Sequence, residues 1–308
     1  MVRSRTSLGL IGLLATAVVV MGTGSAAHAA KNGPAATSKC ANVVSAQDLA
    51  RGNAASTAVA DAAADATVAQ VKAQNDPYTG ARPARDAAHD ARKLADASNG
   101  NPHSCAAVTG GMVANAVTPN ATSGSGYAYI SWMYHYGQDT SSWCGEATVE
   151  EISSTTPGAS RLAIPQSEIA GWLGNGRNDG TSVDQMVSAL NHYVGVPDFG
   201  WNFYSMVWMD DNPTSAQRSA FLADLQIDVD NYNAPVSGNA YEVVGGPHLV
   251  GHPNQLIFHH FAIGGWNTNT AKVWYTDSAT TVWSSVPAYS WYSTNTVETI
   301  LGGRGYVW

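Results

Sequence analysis

The chain has 308 residues, of which 44% are apolar and 12% are charged, and its formal net charge is −8. This composition is typical of a globular protein with enough residues for one main domain and a smaller one. Its lysines and arginines form no basic stripe, which argues against nucleic acid as a partner because binding there needs cations to neutralise phosphates.

The first 29 residues have the three parts of an export signal. Arg3 and Arg5 supply positive charge, residues 8–21 form an apolar run, and a small-x-small cleavage site ends at Ala29. The apolar run has about 14 residues, fewer than the roughly 20 that a membrane-spanning helix needs. We therefore expect a signal peptide at 1–29, a secreted, extracellular protein and no membrane partner.

Residues 30–105 are rich in alanine, which is the best helix former. They predict helices at 46–75 and 82–98, separated by proline and glycine, which interrupt helices. We expect a helical hairpin that buries little by itself and is, from its position, a candidate pro-segment. Residues 106–127 are rich in glycine, serine and threonine and predict a flexible linker.

The three cysteines are Cys40, Cys105 and Cys144. Export permits disulfides, and an odd number leaves one thiol over. Cys40 and Cys105 flank the alanine-rich region, so we expect them to be paired, a closure that stabilises by roughly 4 kcal/mol. Cys144 is then the free thiol.

Residues 128–308 form the main domain. Apolar periodicity predicts helices at 144–155, 181–193 and 214–230, the second opened by a capping box of Thr181 and Asp184. From Pro235 onward, β-branched and aromatic residues predict strands at 256–265, 272–276 and 297–301. Helices followed by strands indicate an α+β fold with an antiparallel sheet.

Cys144 is the candidate nucleophile. A thiol in the first turn of a helix lies near the partial positive charge of unpaired N–H groups, which favours the thiolate. Gly145 permits close backbone approach beside it. The Cys144 N–H and the side-chain amide of Gln138, six residues earlier, are candidate donors to the oxyanion of an acyl-transfer reaction.

A thiolate nucleophile needs a base, usually a histidine. Side chains alternate along a strand, so His260 shares a face with small residues while His259 shares a face with bulky apolar ones. The small neighbours leave room for a cleft, and we therefore assign His260 as the base. Asp277 follows the next predicted strand and is the candidate group that orients the imidazole.

This order of residues resembles the papain-like superfamily and, more closely, cysteine-peptidase family thirty-nine, known for bacteriocin leader peptidases that cut after double glycine. The matching positions are Gln138, Cys144-Gly145, Ala147, Gly180-Thr181, Pro235-Val236, His260-Phe261, Gly265-Trp266 and Asp277. The resemblance covers residues 128–285. It implies a papain-like fold, a peptide or protein substrate, a Cys144–His260–Asp277 triad and Gln138 as the oxyanion donor.

Three positions depart from the family pattern: Glu146 replaces a proline, Ser278 replaces the proline after the aspartate, and Asn233-Ala234 replaces a glycine. A carboxylate at Glu146 would disfavour a neighbouring thiolate or recognise a cationic substrate group. Two alternatives stay open. One is a transglutaminase-like or cell-wall amide acyltransferase with the same triad, and the other is a non-catalytic extracellular relative that binds peptide or glycan.

We expect no cofactor and no metal. The four histidines from His248 to His260 match no zinc-ligand spacing. The acidic run at 228–233 lacks the glycine and the terminal glutamate of a calcium loop.

Overall fold

The fold is described from a computed structural model of the chain. It covers residues 62–78, 82–98, 126–156 and 163–308. The predicted signal peptide, the Cys40–Cys105 disulfide, the first part of the helix at 46–75 and nearly all of the linker lie outside these described residues.

The alanine-rich region contains two helices, α1 (Ala62–Asn75) and α2 (Ala87–Ser98). The second begins five residues later than the predicted start at 82. Asp86 explains the difference, because its carboxylate accepts hydrogen bonds from the backbone N–H groups of Ala88 and His89 at 3.0 and 3.1 Å. This is an N-cap, and a helix starts after its N-cap.

The central helix is α3 (Cys144–Thr155), with the predicted bounds and with every residue buried. A short helix that periodicity did not predict, α4 (Gln166–Leu173), follows it and ends at Gly174, whose φ is 75°. Glycine reaches such left-handed angles without the penalty that a Cβ imposes, which makes it a common helix terminator.

The helix predicted at 181–193 is α5 (Val183–Leu190), which continues as a π-helical segment, Asn191–Phe199. Its capping box is formed by Ser182 and Gln185, so the predicted box of Thr181 and Asp184 is wrong by one residue. The reason is tertiary, because the hydroxyl of Thr181 donates instead to a buried carboxylate of α3. The next helix, α6 (Ser215–Ile227), begins after Thr214.

In the described part of the chain, seven strands form one antiparallel sheet, which confirms the expected mixture of helices and antiparallel sheet. Six of them lie in the order β2-β7-β3-β4-β5-β6, and β1 pairs with β4. The strands are β1 Tyr127–Tyr129, β2 Met206–Val207, β3 Val236–Glu242, β4 Ile257–Asn267, β5 Lys272–Thr276, β6 Tyr289–Ser293 and β7 Tyr306–Val307.

The strand predicted at 297–301 is wrong, since these residues belong to a helix, α7 (Thr294–Leu301). Their β-branched side chains favour a strand. However, Val297, Ile300 and Leu301 have the i, i+3, i+4 spacing of one helix face, and all three are fully buried. Burial of that face outweighs the local preference.

The N-terminal helices dock on the main domain through buried cations. Lys93 of α2 is fully buried and donates to Asp228 Oδ2 at 3.0 Å. Lys72 of α1 donates to three backbone carbonyl oxygens at the end of α7, those of Thr299, Ile300 and Gly302. These contacts make α1 and α2 part of the packed structure. Within the described residues, no helix is both long and apolar enough to cross a bilayer.

Candidate active site

Cys144 is the first residue of α3 and a free thiol, and its side chain lies at the edge of the buried core. The preceding residue, Trp143, makes no side-chain cap to the helix; its indole Nε1 donates instead to the carbonyl of Gly176 at 2.9 Å. The first N–H groups of a helix have no intrahelical acceptor. Here they lie in the helix turn that bears the thiol, and such groups are suited to bind a negative charge.

The imidazole that meets this thiol is His259, near the start of β4. Its Nε2 donates to Asp277 Oδ1 at 3.0 Å, and the ring also hydrogen-bonds Cys144. Because Nε2 is used by Asp277, Nδ1 is the atom left for the sulfur. Burial alone would lower the pKa of His259, but the Asp277 carboxylate and then Cys144 outweigh burial and raise this pKa well above its usual value.

The assignment of the base to His260 is therefore corrected. The His260 ring is turned to the loop before α5, where Nε2 donates to the carbonyl of Thr181 at 3.0 Å. Burial lowers the pKa of His260 to about 4, so this ring is neutral at ordinary pH. The hydrogen bond of the His260 ring is therefore made to Thr181, and neither Cys144 nor Asp277 is its partner.

Strand register explains why His259 and not His260 meets the aspartate. In the pairing of β4 with β5, Ala262 lies opposite Thr276. One further step brings Asp277 opposite Phe261, on the face that Phe261 shares with His259. The bulky neighbours do not close the site, because they lie farther along the strand in the core while His259 lies near its end.

Asp277 is also contacted by a residue that sequence analysis did not select. His252, in the loop before β4, places Nε2 3.0 Å from Asp277 Oδ2, and its Nδ1 donates to Glu242 Oε1 at 2.9 Å. Both side chains are fully buried. The available signal is the run of histidines after residue 247, although its spacing matches no metal-ligand pattern.

Gln138 is buried against the segment that directly follows Asp277. Its backbone N–H donates to the carbonyl of Ser278 at 2.9 Å, and its carbonyl accepts from Thr281 Oγ1 at 2.7 Å. One side-chain N–H donates to the carbonyl of Thr140 at 2.8 Å. An amide nitrogen has two hydrogens, so the second remains available to a ligand.

Glu146 is turned away from the thiol and into a buried network. Its Oε1 accepts from Asn175 Nδ2 at 2.7 Å and its Oε2 accepts from Thr181 Oγ1 at 2.8 Å. Beside it, a Cβ on Gly145 would come within 2.4 Å of the Thr181 side chain. The glycine after Cys144 therefore admits the loop that Glu146 anchors.

The donor atoms of His252, His259 and Asp277 lie within 4.8 Å of one another, close enough to hold a metal ion. The same atoms already pair as cation and carboxylate. Their mutual pairing is one reason for these three side chains to lie together.

A scan against protein-family models finds no match, and a search of curated proteins finds no similar sequence. Among solved structures, the chain is similar to a digestive procathepsin L 3 of the Tenebrio molitor larval midgut. The identity is 15% and the TM-score 0.35, over 79% of this chain and 87% of that chain. At that TM-score two chains need not share a fold, so the function proposed for this protein depends on the geometry of its own side chains.

Proposed function

We propose that this protein is an exported cysteine hydrolase of the papain-like type that cleaves peptide bonds. One observation carries the proposal: a buried imidazole, that of His259, hydrogen-bonds a thiol at a helix N-terminus on one side and a carboxylate on the other. A nucleophile, a base and an orienting acid in this order are the requirements for acyl transfer by a thiol.

In the first half of the reaction, His259 Nδ1 takes the proton of Cys144. The sulfur then attacks the substrate carbonyl carbon and forms a C–S bond. The N–H of Cys144 and the free N–H of the Gln138 side chain donate to the oxyanion. As the tetrahedral intermediate collapses, the C–N bond breaks and His259 gives its proton to the leaving amine.

In the second half, His259 takes a proton from water and the resulting hydroxide attacks the thioester carbon. The C–S bond breaks, the carboxylic acid leaves and His259 returns its proton to the sulfur. Asp277 keeps Nε2–H in place through both halves, and its charge stabilises the imidazolium. Burial would raise the pKa of Asp277, but the charges of His259 and His252 hold it well below its usual range.

The thiol itself can be tested without a known substrate. The full secreted chain is alkylated with iodoacetamide at about pH 6, where an ordinary thiol is almost fully protonated. We expect rapid modification of Cys144 by intact mass, a loss of about 100-fold in His259→Ala and little change in His260→Gln. His192→Gln, a change at an exposed histidine stacked on Trp172, is the control. Equal rates in wild type and His259→Ala would contradict the proposal.

The acyl acceptor and the substrate are tested by product analysis. Wild type and Cys144→Ser are incubated with a peptide mixture, with and without a primary amine. New carboxyl termini with wild type alone support hydrolysis, whereas amide products show transfer to the amine. Peptides that are identical except for Gly-Gly or Ala-Ala before the scissile bond measure the cleavage preference. Export is tested by the N-terminus of the protein recovered outside the cell, which we expect at Ala30.

A further inference from the structure

Asp277 is held by two histidines rather than one. Its Oδ1 accepts from His259 Nε2 at 3.0 Å and from the backbone N–H of Ala279 at 2.9 Å, while Oδ2 lies 3.0 Å from His252 Nε2. A carboxylate contacted through one oxygen can rotate about its Cβ–Cγ bond. Contacts on both oxygens fix the plane of the group, and therefore the direction in which it receives the His259 N–H.

His252 is in turn held by a second carboxylate. Its Nδ1 faces Glu242 Oε1 at 2.9 Å, and both side chains are fully buried. An ionised carboxylate has no hydrogen to donate, so its oxygens act only as hydrogen-bond acceptors. His252 thus has a hydrogen bond to a carboxylate at Nδ1 and an ion-pair contact with another carboxylate at Nε2, and two neighbouring carboxylates favour its imidazolium form. Glu242 is fixed by its strand and by the backbone N–H of Leu249 at 3.3 Å.

We propose that His252, anchored by Glu242, is a positioning residue that holds the Asp277 carboxylate against His259. The inference rests on the proposed function, because it assigns the pair a role in keeping the base aligned with Cys144. His252 touches neither thiol nor substrate in this account; it acts through Asp277.

The surrounding charges fit this role. Burial alone would lower the pKa of His252, but the Asp277 charge and the hydrogen bonds to Asp277 and Glu242 raise it to about 9. His259 of β4 packs edge-on against the His252 ring. The other titratable groups act on its two partners: His248 and Tyr292 on Glu242, and Tyr275 and Glu151 on Asp277. Burial raises the pKa of Glu151 well above its usual range, which favours its neutral form and weakens any negative charge it adds beside Asp277.

The experiment measures alkylation of Cys144 by iodoacetamide across pH in the full chain, with EDTA present and with melting curves for every variant. In His252→Ala we expect the rate at about pH 6 to fall at least tenfold, because a misdirected base costs up to about 100-fold. An ordinary thiol is largely ionised at about pH 9, where a base adds little, so we expect a fall of less than about threefold there.

Glu242→Gln is the second variant, because it keeps the imidazole and removes only the charge that favours its protonation. The His252 proton is then lost at a lower pH. We expect a rate within about twofold of wild type at about pH 6 and a several-fold fall at about pH 7.5. If His252→Ala does not fold, this profile decides the question alone.

Three outcomes overturn the inference. Rates equal to wild type at every pH, in folded variants, exclude a role for the pair, while loss in His259→Ala still supports the proposed function. A fall by the same factor at all pH values shows a purely structural role. A slowing by zinc chloride without EDTA that is lost in His252→Ala shows that His252, His259 and Asp277 serve a metal ion instead. Failure of the proposed function is distinct, because His259→Ala itself would then react like wild type.

Discussion

Glu146 Oε2 accepts a hydrogen bond from Thr181 Oγ1 at 2.8 Å, and this contact joins the loop before α5 to the first turn of the helix that bears Cys144. The carbonyl of the same threonine accepts from His260. Thr181 therefore links the helix, the loop and β4, and Glu146 is a structural anchor beside the thiol.

Replacement of Glu146 by alanine tests this anchor. Glu146→Ala leaves the amide of Asn175 and the hydroxyl of Thr181 without their buried acceptor, and we expect the free energy of unfolding to fall by about 2 to 4 kcal/mol. Glu146→Gln keeps one acceptor oxygen and should lose less. Urea unfolding measures both, with Glu168→Ala on the exposed face of α4 as the control. A faster-reacting thiol with unchanged stability would instead indicate that Glu146 acts on the sulfur electrostatically.

The buried His252 makes stability depend on pH. Its pKa rises from 6.5 in the unfolded chain to about 9 in the fold, so its contribution is complete below the lower value and is lost as the pH rises through the upper one. We expect the stability difference between wild type and His252→Gln to be larger at pH 6 than at pH 9.5, by on the order of 3 kcal/mol. Denaturant unfolding at the two pH values measures it, and a difference independent of pH would contradict a charged His252.

The Lys93–Asp228 pair predicts a strong asymmetry between single and double variants. Burial lowers the pKa of Lys93 to about 8 and raises that of Asp228 to about 7. Lys93→Met leaves a buried carboxylate without its cation, which we expect to cost about 3 to 5 kcal/mol. The cost should fall at acidic pH, where Asp228 is protonated.

The double variant Lys93→Met with Asp228→Asn removes both charges, so we expect it to recover most of the lost stability in urea unfolding. A double variant less stable than Lys93→Met would show that the pair adds net stability, rather than that each charge only offsets the cost of burying the other.

Removal of α1 and α2 should destabilise the main domain rather than activate it. A chain beginning at residue 126 uncovers Asp228 and loses the Lys72 contacts to the end of α7. We expect its melting temperature to fall by more than about 10 °C. The lost contacts should cost several kcal/mol, and each kcal/mol lowers the melting temperature by a few degrees in a domain of this size. Differential scanning calorimetry measures this loss.

The matched single variant is Lys72→Met, with Gln70→Met on the exposed side of the same helix as the control. We expect only Lys72→Met to lower the melting temperature. A stable truncated chain with a higher rate of peptide hydrolysis would contradict this prediction and support a removable pro-segment at 30–105.

Several local features were predictable from the sequence. The helix at 144–155 and the strand at 272–276 have the predicted bounds. Apolar periodicity and β-branched composition are local patterns, set by residues within a few positions of one another in the chain. The prediction of a strand at 297–301 is wrong because it relied on the same kind of local pattern. Its β-branched residues favour a strand, and only packing on the sheet selects the helix.

By itself, the sequence determines that a thiol begins a helix, that two adjacent histidines lie on a later strand and that Asp277 follows the next one, because these are local patterns. Only the tertiary structure decides that His259 rather than His260 reaches Cys144, and that His252 completes the cluster. A shift of one residue in strand pairing moves a side chain to the opposite face. That pairing is set by contacts between segments far apart in the chain, which no local pattern contains.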